Sequence, residues 1–312
     1  MRQPPPSLAY RPAWLRDCTG LSVMVVGADG FIGSHVVALA LDAGAEVRAI
    51  CPKDPWRIRG LEIEPEVVPH WWQVDPADAE VVVTLAYEPP ASYEGQAWLA
   101  HELGVNTARA VALARGARRT VFASSADVYG PWHDEPIDED TAPAPATPYA
   151  EAKLRAEEAL ADPDAVAVRL ATVYGPSEHE RRAIPAFILA AINGTHAVVH
   201  GDGSDVRDYV YVGDVAAAIV NACASPVTGA LNLGSGVGRS TLEVLELVGA
   251  ALGVMVEPTF EPRTRPPTKL VLETARARTE LGFRARQDLP VALAEEAEWL
   301  EQAERAARTC LD

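Results

Sequence analysis

The sequence predicts an α/β protein, a doubly wound parallel sheet joined to a smaller mixed α/β lobe. Three observations carry this prediction. Short apolar, β-branched runs recur at residues 23–26, 81–86, 120–123 and 165–170, the lengths and composition of strands buried on both faces. Helical patterns alternate with them, as in a parallel sheet with crossover helices. The first run breaks at Gly27, glycine recurs at Gly30 and Gly33, and an apolar helical pattern follows to about Gly44. Strand, glycine turn and helix in that order form the first half of a βαβ nucleotide-binding unit.

In chain order, residues 1–20, with three prolines at 4–6, are expected to be a partly ordered extension. Residues 21–175 are expected to form the dinucleotide-binding Rossmann domain, with return segments near 205–235. Gly27 allows the tight turn, Gly30 lets a pyrophosphate approach the backbone, and Gly33 lets the helix pack close to the sheet. A second strand is expected at 46–50. The segment 51–80 is rich in proline and charge and shows no clear helix. A helix is expected at 97–115. The strand at 120–123 leads into Ser124-Ser125-Ala126-Asp127-Val128-Tyr129-Gly130, and a further helix runs from about 148 to 161. After residue 177 the pattern changes: helices at 184–193, 214–224, 241–252 and 290–308, with a strand at 230–233. Residues 176–204 and 236–312 are expected to form a substrate-binding lobe over the carboxyl ends of the strands, where open α/β sheets bind ligands.

Composition narrows the function. The 312 residues, 48% hydrophobic and 23% charged, suffice for a sizeable core. A formal charge of −17 argues against nucleic-acid binding, and any anionic substrate must be held by local arginines against the overall field. No apolar run approaches the roughly 18 residues of a membrane span, and no signal peptide is visible. Four scattered cysteines without a C-x-x-C pair read as reduced thiols of a cytoplasmic protein. His101, His133 and His179 lack metal-ligand spacing, so no metal is expected.

The chemistry is expected at Tyr149 and Lys153, four residues apart at the start of a helix and therefore on one face. A free tyrosine, with a pKa of about 10, is a poor base at neutral pH. A neighbouring ammonium favours the phenolate, and a serine hydroxyl nearby can hydrogen-bond the substrate oxygen that loses its proton. Such a pair also arises by chance on many helices, and its weight comes from the motifs around it.

Those motifs resemble the extended short-chain dehydrogenase/reductase family. The glycines are spaced G-x-x-G-x-x-G, the Ser124–Gly130 segment precedes Tyr149-x-x-x-Lys153, and Val173-Tyr174-Gly175-Pro176 follows. Gly201-Asp202-Gly203-Ser204, Arg207-Asp208-Tyr209, Asn232-Leu233-Gly234-Ser235-Gly236 and Leu281-Gly282-Phe283 keep the family's order. The match spans about residues 21–300 and is most similar to the nucleoside-diphosphate-sugar epimerase branch. The resemblance implies Ser125, Tyr149 and Lys153 as catalytic residues. It implies Gly27, Asp29, Gly30, Phe31, Ile32, Gly33, Leu85, Ala86 and Ser124, with Tyr149 and Lys153, as cofactor contacts. Ser125, Asp127, Thr172, Arg207 and Arg265 would meet the substrate, Arg207 gripping its diphosphate with a guanidinium fork. A blander reading, as a solvated surface residue, suits Arg263 and Arg265 better than Arg207. A homodimer built on the helices at 97–115 and 149–161 is implied as well.

The adenosine-binding half departs from the family. Cys51 stands where an acidic residue normally takes the ribose hydroxyls, and Thr84-Leu85-Ala86 replaces a His-Leu-Ala segment. Thr172 and Thr268 replace an asparagine and an aspartate. NAD is the expected cofactor, with NADP kept open because Lys53, Arg57 and Arg59 could meet a 2′-phosphate. The expected reaction is epimerisation of a nucleotide sugar through a transient keto-sugar. Dehydration, decarboxylation or net ketoreduction on a similar substrate is the alternative within enzymes, and a non-catalytic dinucleotide-binding regulator the alternative outside them. Of the Asp-Glu pair that dehydration requires, the chain has Ala126 and Asp127, which counts against dehydration.

Overall fold

Seven strands form one parallel sheet in the order β10-β6-β5-β4-β1-β2-β3 in the computed structural model, which describes residues 10–86, 109, 111, 113, 116–160, 164–263, 266–286 and 288–309. The strands are β1 (Ser22–Val26), β2 (Glu46–Cys51), β3 (Glu66–Val67), β4 (Val81–Thr84), β5 (Arg119–Ser125), β6 (Ala165–Leu170) and β10 (Gly229–Leu233). The chain reverses direction across the sheet between β1 and β4, and this switch point opens the crevice where such sheets hold ligands.

Helix α1 (Phe31–Asp42) packs on β1 and β2 and against α4 (Val212–Cys223). Every residue of α4 is buried, as its apolar sequence requires: the sheet lies on one side and the second lobe on the other. Tyr10 donates a 2.6 Å hydrogen bond to Asp214 at the start of α4, and Trp14 stacks edge-on against Phe283. The amino-terminal stretch from residue 10 is thus packed onto the core.

The segment 51–80 holds two single 3-10 turns, Trp56–Ile58 and Trp71–Gln73, besides β3. Its tryptophans anchor it in place of a helix, Trp71 being buried and Trp72 lying edge-on to it. The expected helix at 97–115 lies mostly outside the described residues, so the dimer face expected there does too.

A second sheet surrounds β9 (Val206–Tyr211). It pairs antiparallel with β11 (Gly238–Ser240) and parallel with β7 (Thr172–Tyr174) and β13 (Lys269–Leu270). The boundary expected near residue 175 therefore runs beside a strand of this sheet. Strands β8 (Ala197–His200) and β12 (Pro258–Glu261) form a parallel pair. Helices α3 (Ala183–Asn193), α5 (Thr241–Leu252) and α7 (Leu289–Thr309) pack together as the lobe's helical layer. The short strands β7, β9, β11, β12 and β13 escape the periodicity reading because two to six residues carry little pattern.

Candidate active site

The glycine turn closes on the neighbouring strand. Gly27 has φ +89°, and a Cβ there would lie 2.8 Å from the Ala86 nitrogen, so a side chain is excluded by conformation and by space. A Cβ on Gly33 would collide with the Gly27 carbonyl oxygen, so the helix approaches the turn only because residue 33 has no side chain. No side chain caps α1 at Gly30 and no acidic residue occupies its first turn. Asp29 just before it is buried, and burial raises its pKa. The helix dipole and first N–H groups are thus left for an anion, and the turn fits a dinucleotide pyrophosphate.

At the ribose end, Cys51 has no exposed surface, and burial beside Asp29 pushes its thiol up to about 12. It is a neutral packing residue. Arg57 donates to the Ser177 hydroxyl at 2.6 Å and the Asp29 carbonyl at 3.1 Å, and stacks on Trp56. Arg59 pairs with Asp54. Of the three cations considered for a 2′-phosphate, only Lys53 is exposed and outside such contacts among the described residues.

Helix α2 (Pro148–Ala159) starts at a fixed point, since Thr147 accepts a hydrogen bond from the Ala150 N–H and Pro148 occupies the first turn. This start places Tyr149, Lys153 and Glu157 along one face at successive steps of four. Lys153 donates at 2.8 Å to the carbonyl of Ala123 on β5, with its ammonium 4.9 Å from the Phe122 ring and 5.7 Å from the Tyr149 ring. Ser125 ends β5 and caps a 3-10 turn, its hydroxyl accepting from the Asp127 N–H at 3.2 Å.

Ser124 does something the sequence did not suggest. Its hydroxyl donates to Glu157, which also holds Arg169 at 2.6 Å with both side chains under 10% exposed. Ser124 and Arg169 are register partners on β5 and β6, so one buried ion pair ties the helix carrying Tyr149 to two strands. The guanidinium also lies over the Tyr129 ring at 4.7 Å. A polar residue in the otherwise apolar 165–170 strand was the available signal.

Across the cleft, Arg207 on β9 stands 3.7 Å from Asp127 and 3.5 Å from the Thr268 hydroxyl. The next residue points the other way: buried Asp208 accepts from the N–H groups of Ser235, Gly236 and Leu272. It clamps the two loops beside Arg207. Thr172 starts β7 and pairs in register with Tyr209. Arg265 lies outside the described residues. Arg263, read from sequence as a solvated surface residue, is instead 23% exposed and clasped by Asp202 and Asp205. Asp202 lies in the Gly201–Ser204 turn and Asp205 directly after it, which explains the difference.

The turn after β7 is bound from several sides. Ser177 has φ +78°, a strained value for a residue with a side chain. Neutral His35, its pKa lowered to about 4 by burial, contacts the Pro176 carbonyl at 3.1 Å. Glu178 and Glu296 are both buried there, with oxygens lacking partners among the described residues. Burial pushes the Glu178 carboxyl up to about 8, Arg182 opposing only in part, and Glu296 is raised by burial and by Glu178. A carboxyl with a raised folded pKa stabilises the fold below its unfolded pKa, and that stability is lost as pH rises through the folded value. Glu178→Gln should therefore melt near the wild type at pH 4 and above it at pH 9. Equal melting points at pH 9 would contradict this assignment.

Fold and glycine turn together define a dinucleotide-binding α/β protein, with Tyr149 and Lys153 on one helix face beside the strand that ends in Ser125. The profile of the NAD dependent epimerase/dehydratase family matches residues 23–234, and the chain belongs to that family. A UDP-glucose 4-epimerase of Mycolicibacterium smegmatis is 33% identical over 304 residues, covering 88% of this chain and 96% of its own. The low-salt glycan biosynthesis protein Agl12 of Haloferax volcanii is 30% identical, covering 75% and 83%. The solved structure of MoeE5 in complex with UDP-glucose and NAD superposes with a TM-score of 0.78 at 27% identity, covering 90% of this chain and 99% of its own. Among the described residues no helix is long and apolar enough to cross a membrane.

Proposed function

We propose that the chain epimerises a nucleoside-diphosphate sugar, using NAD that is reduced and reoxidised within one turnover. The observation carrying this reading is the α2 face: Tyr149 and Lys153 share it, and Lys153 is held by the same strand that ends in Ser125. Bound at the glycine turn, NAD supplies a hydride acceptor that later returns the hydride. Tyr149 takes the proton of the reacting hydroxyl and gives it back, Lys153 supplies a positive charge beside it, and Ser125 hydrogen-bonds the substrate oxygen. Arg207 holds the diphosphate and lets the keto-sugar turn over without leaving. Gly27, Gly30 and Gly33 with Phe31, Ile32, Leu85 and Ala86 line the cofactor turn.

NAD is favoured over NADP because Arg57 and Arg59 are engaged elsewhere. Epimerisation is favoured over dehydration because Ala126 is buried and carries no acid, while Asp127 faces Arg207. The UDP-glucose 4-epimerase relative, matched over most of both chains, supports the same reading. The three described cysteines are free and buried, which suits a cytoplasmic enzyme, and a homodimer remains part of the proposal.

A panel of nucleotide sugars incubated with the protein and either NAD or NADP, with products identified by NMR, tests this. The expected result is an epimer formed with NAD and no net cofactor consumption. Accumulation of a 4-keto-6-deoxy sugar, or consumption of reduced cofactor, would replace epimerisation with dehydration or ketoreduction.

A further inference from the structure

Arg239 stands directly opposite Arg207 in the β9–β11 ladder. Directly opposed residues of an antiparallel pair point to the same face, with Cα atoms about 4.5–5.5 Å apart. Tyr209 lies two residues further along β9 on that face, and with Val237, Arg239, Tyr174 and Arg286 it lines one small depression. Like charges placed this way repel and destabilise a sheet. A chain with 44 acidic and 27 basic residues has ample carboxylates to neutralise such a pair, yet here only Arg207 meets one, Asp127 at 3.7 Å.

The three arginines of this region differ in how far their charge is met. Arg286 is saturated: it holds Asp288 and Glu295 and stacks over Tyr211 at 4.8 Å. Arg207 has a long 3.7 Å ion pair with Asp127. Arg239 is half-buried, and its guanidinium forms no hydrogen bond or ion pair among the described residues. Glu243 feels its charge, but that carboxylate accepts from the Ser240 N–H at 2.5 Å in the capping box of α5. One strongly met cation, one weakly met and one unmet on the same side of the sheet make a site for a dianion.

We infer that Arg239 is a second diphosphate ligand, closing with Arg207 on the two phosphates of the nucleotide. The inference rests on the nucleoside-diphosphate reading of the site and adds to it a residue on a different strand. A guanidinium on each of two paired strands gives a fork for each phosphate. The repulsion between them is relieved when the dianion binds, so affinity for the ligand is gained at the expense of stability without it.

Full-length protein, saturated with NAD, is titrated calorimetrically with UDP, dTDP, GDP and CDP, each beside its free nucleoside. With the diphosphate that binds the wild type, Arg239→Gln is expected to weaken affinity by about tenfold or more, the worth of a charge-assisted contact. Arg239→Lys should fall between, and Arg207→Ala combined with Arg239→Gln should lose less than the sum of the two. Melting without nucleotide separates a ligand role from a structural one: Arg239→Gln should melt at or above the wild-type temperature. Unchanged diphosphate affinity in Arg239→Gln beside a loss in Arg207→Ala overturns the inference alone, and so would an arginine serving a carboxylate on the sugar, since these probes carry no sugar acid. A lower melting point with weaker binding also overturns it. A wild type that binds none of the four diphosphates overturns both this inference and the nucleotide-sugar reading.

Discussion

Replacing Tyr149 with phenylalanine is expected to abolish nearly all turnover while leaving cofactor affinity close to that of the wild type. The ring that packs beside Lys153 stays, and only the hydroxyl that exchanges the substrate proton is removed. General acid–base catalysis by a positioned side chain contributes roughly a hundred- to ten-thousandfold, and the fall in kcat should lie in that range. Ser125→Ala should lose less, because Ser125 holds the substrate oxygen without exchanging its proton. The measurement is steady-state turnover of the active nucleotide sugar, with NAD binding followed by calorimetry on the same preparations. If Tyr149→Phe turned over at a near-normal rate, another group would have to be the proton acceptor.

The parts of this molecule that were legible in sequence are those whose physics is local. The helix 241–252 coincides with its expected bounds because Ser240 and Glu243 form a capping box before it and Gly253 ends it in a left-handed turn. Strand 165–170 does so too, being a short apolar run with nothing to extend it. That Tyr149 and Lys153 share one face of a helix was legible from their spacing of four. What stayed hidden depends on pairing between distant segments. Arg239 faces Arg207 only through the register of two strands about thirty residues apart, and no local pattern encodes that. The partner of Ser124, Glu157, comes from a helix 33 residues later. The engagement of Arg57 by Ser177 crosses 120 residues, so the sequence showed a free cation where the fold has a strut.

The Glu157–Arg169 pair should show the largest stability effect of any single site described. Each side chain is under 10% exposed, so removing one partner leaves the other charged and desolvated. Glu157→Ala or Arg169→Ala should each cost about 3–5 kcal/mol. The cost of the single change is mostly the abandoned partner, so the double replacement Glu157→Leu with Arg169→Met should recover much of it, since apolar substitutes of similar volume are often nearly neutral. The Ser124 hydroxyl loses its acceptor only where Glu157 is replaced, and a buried guanidinium left without its partner cannot be discharged. Denaturant titration of the singles and the double measures this directly. A double variant as unstable as the sum of its singles would mean that the pair is a net source of stability. Singles that lose less than about 1 kcal/mol, the usual worth of an exposed pair, would mean that water reaches the ion pair and that it does not fix the helix carrying Tyr149 to the sheet.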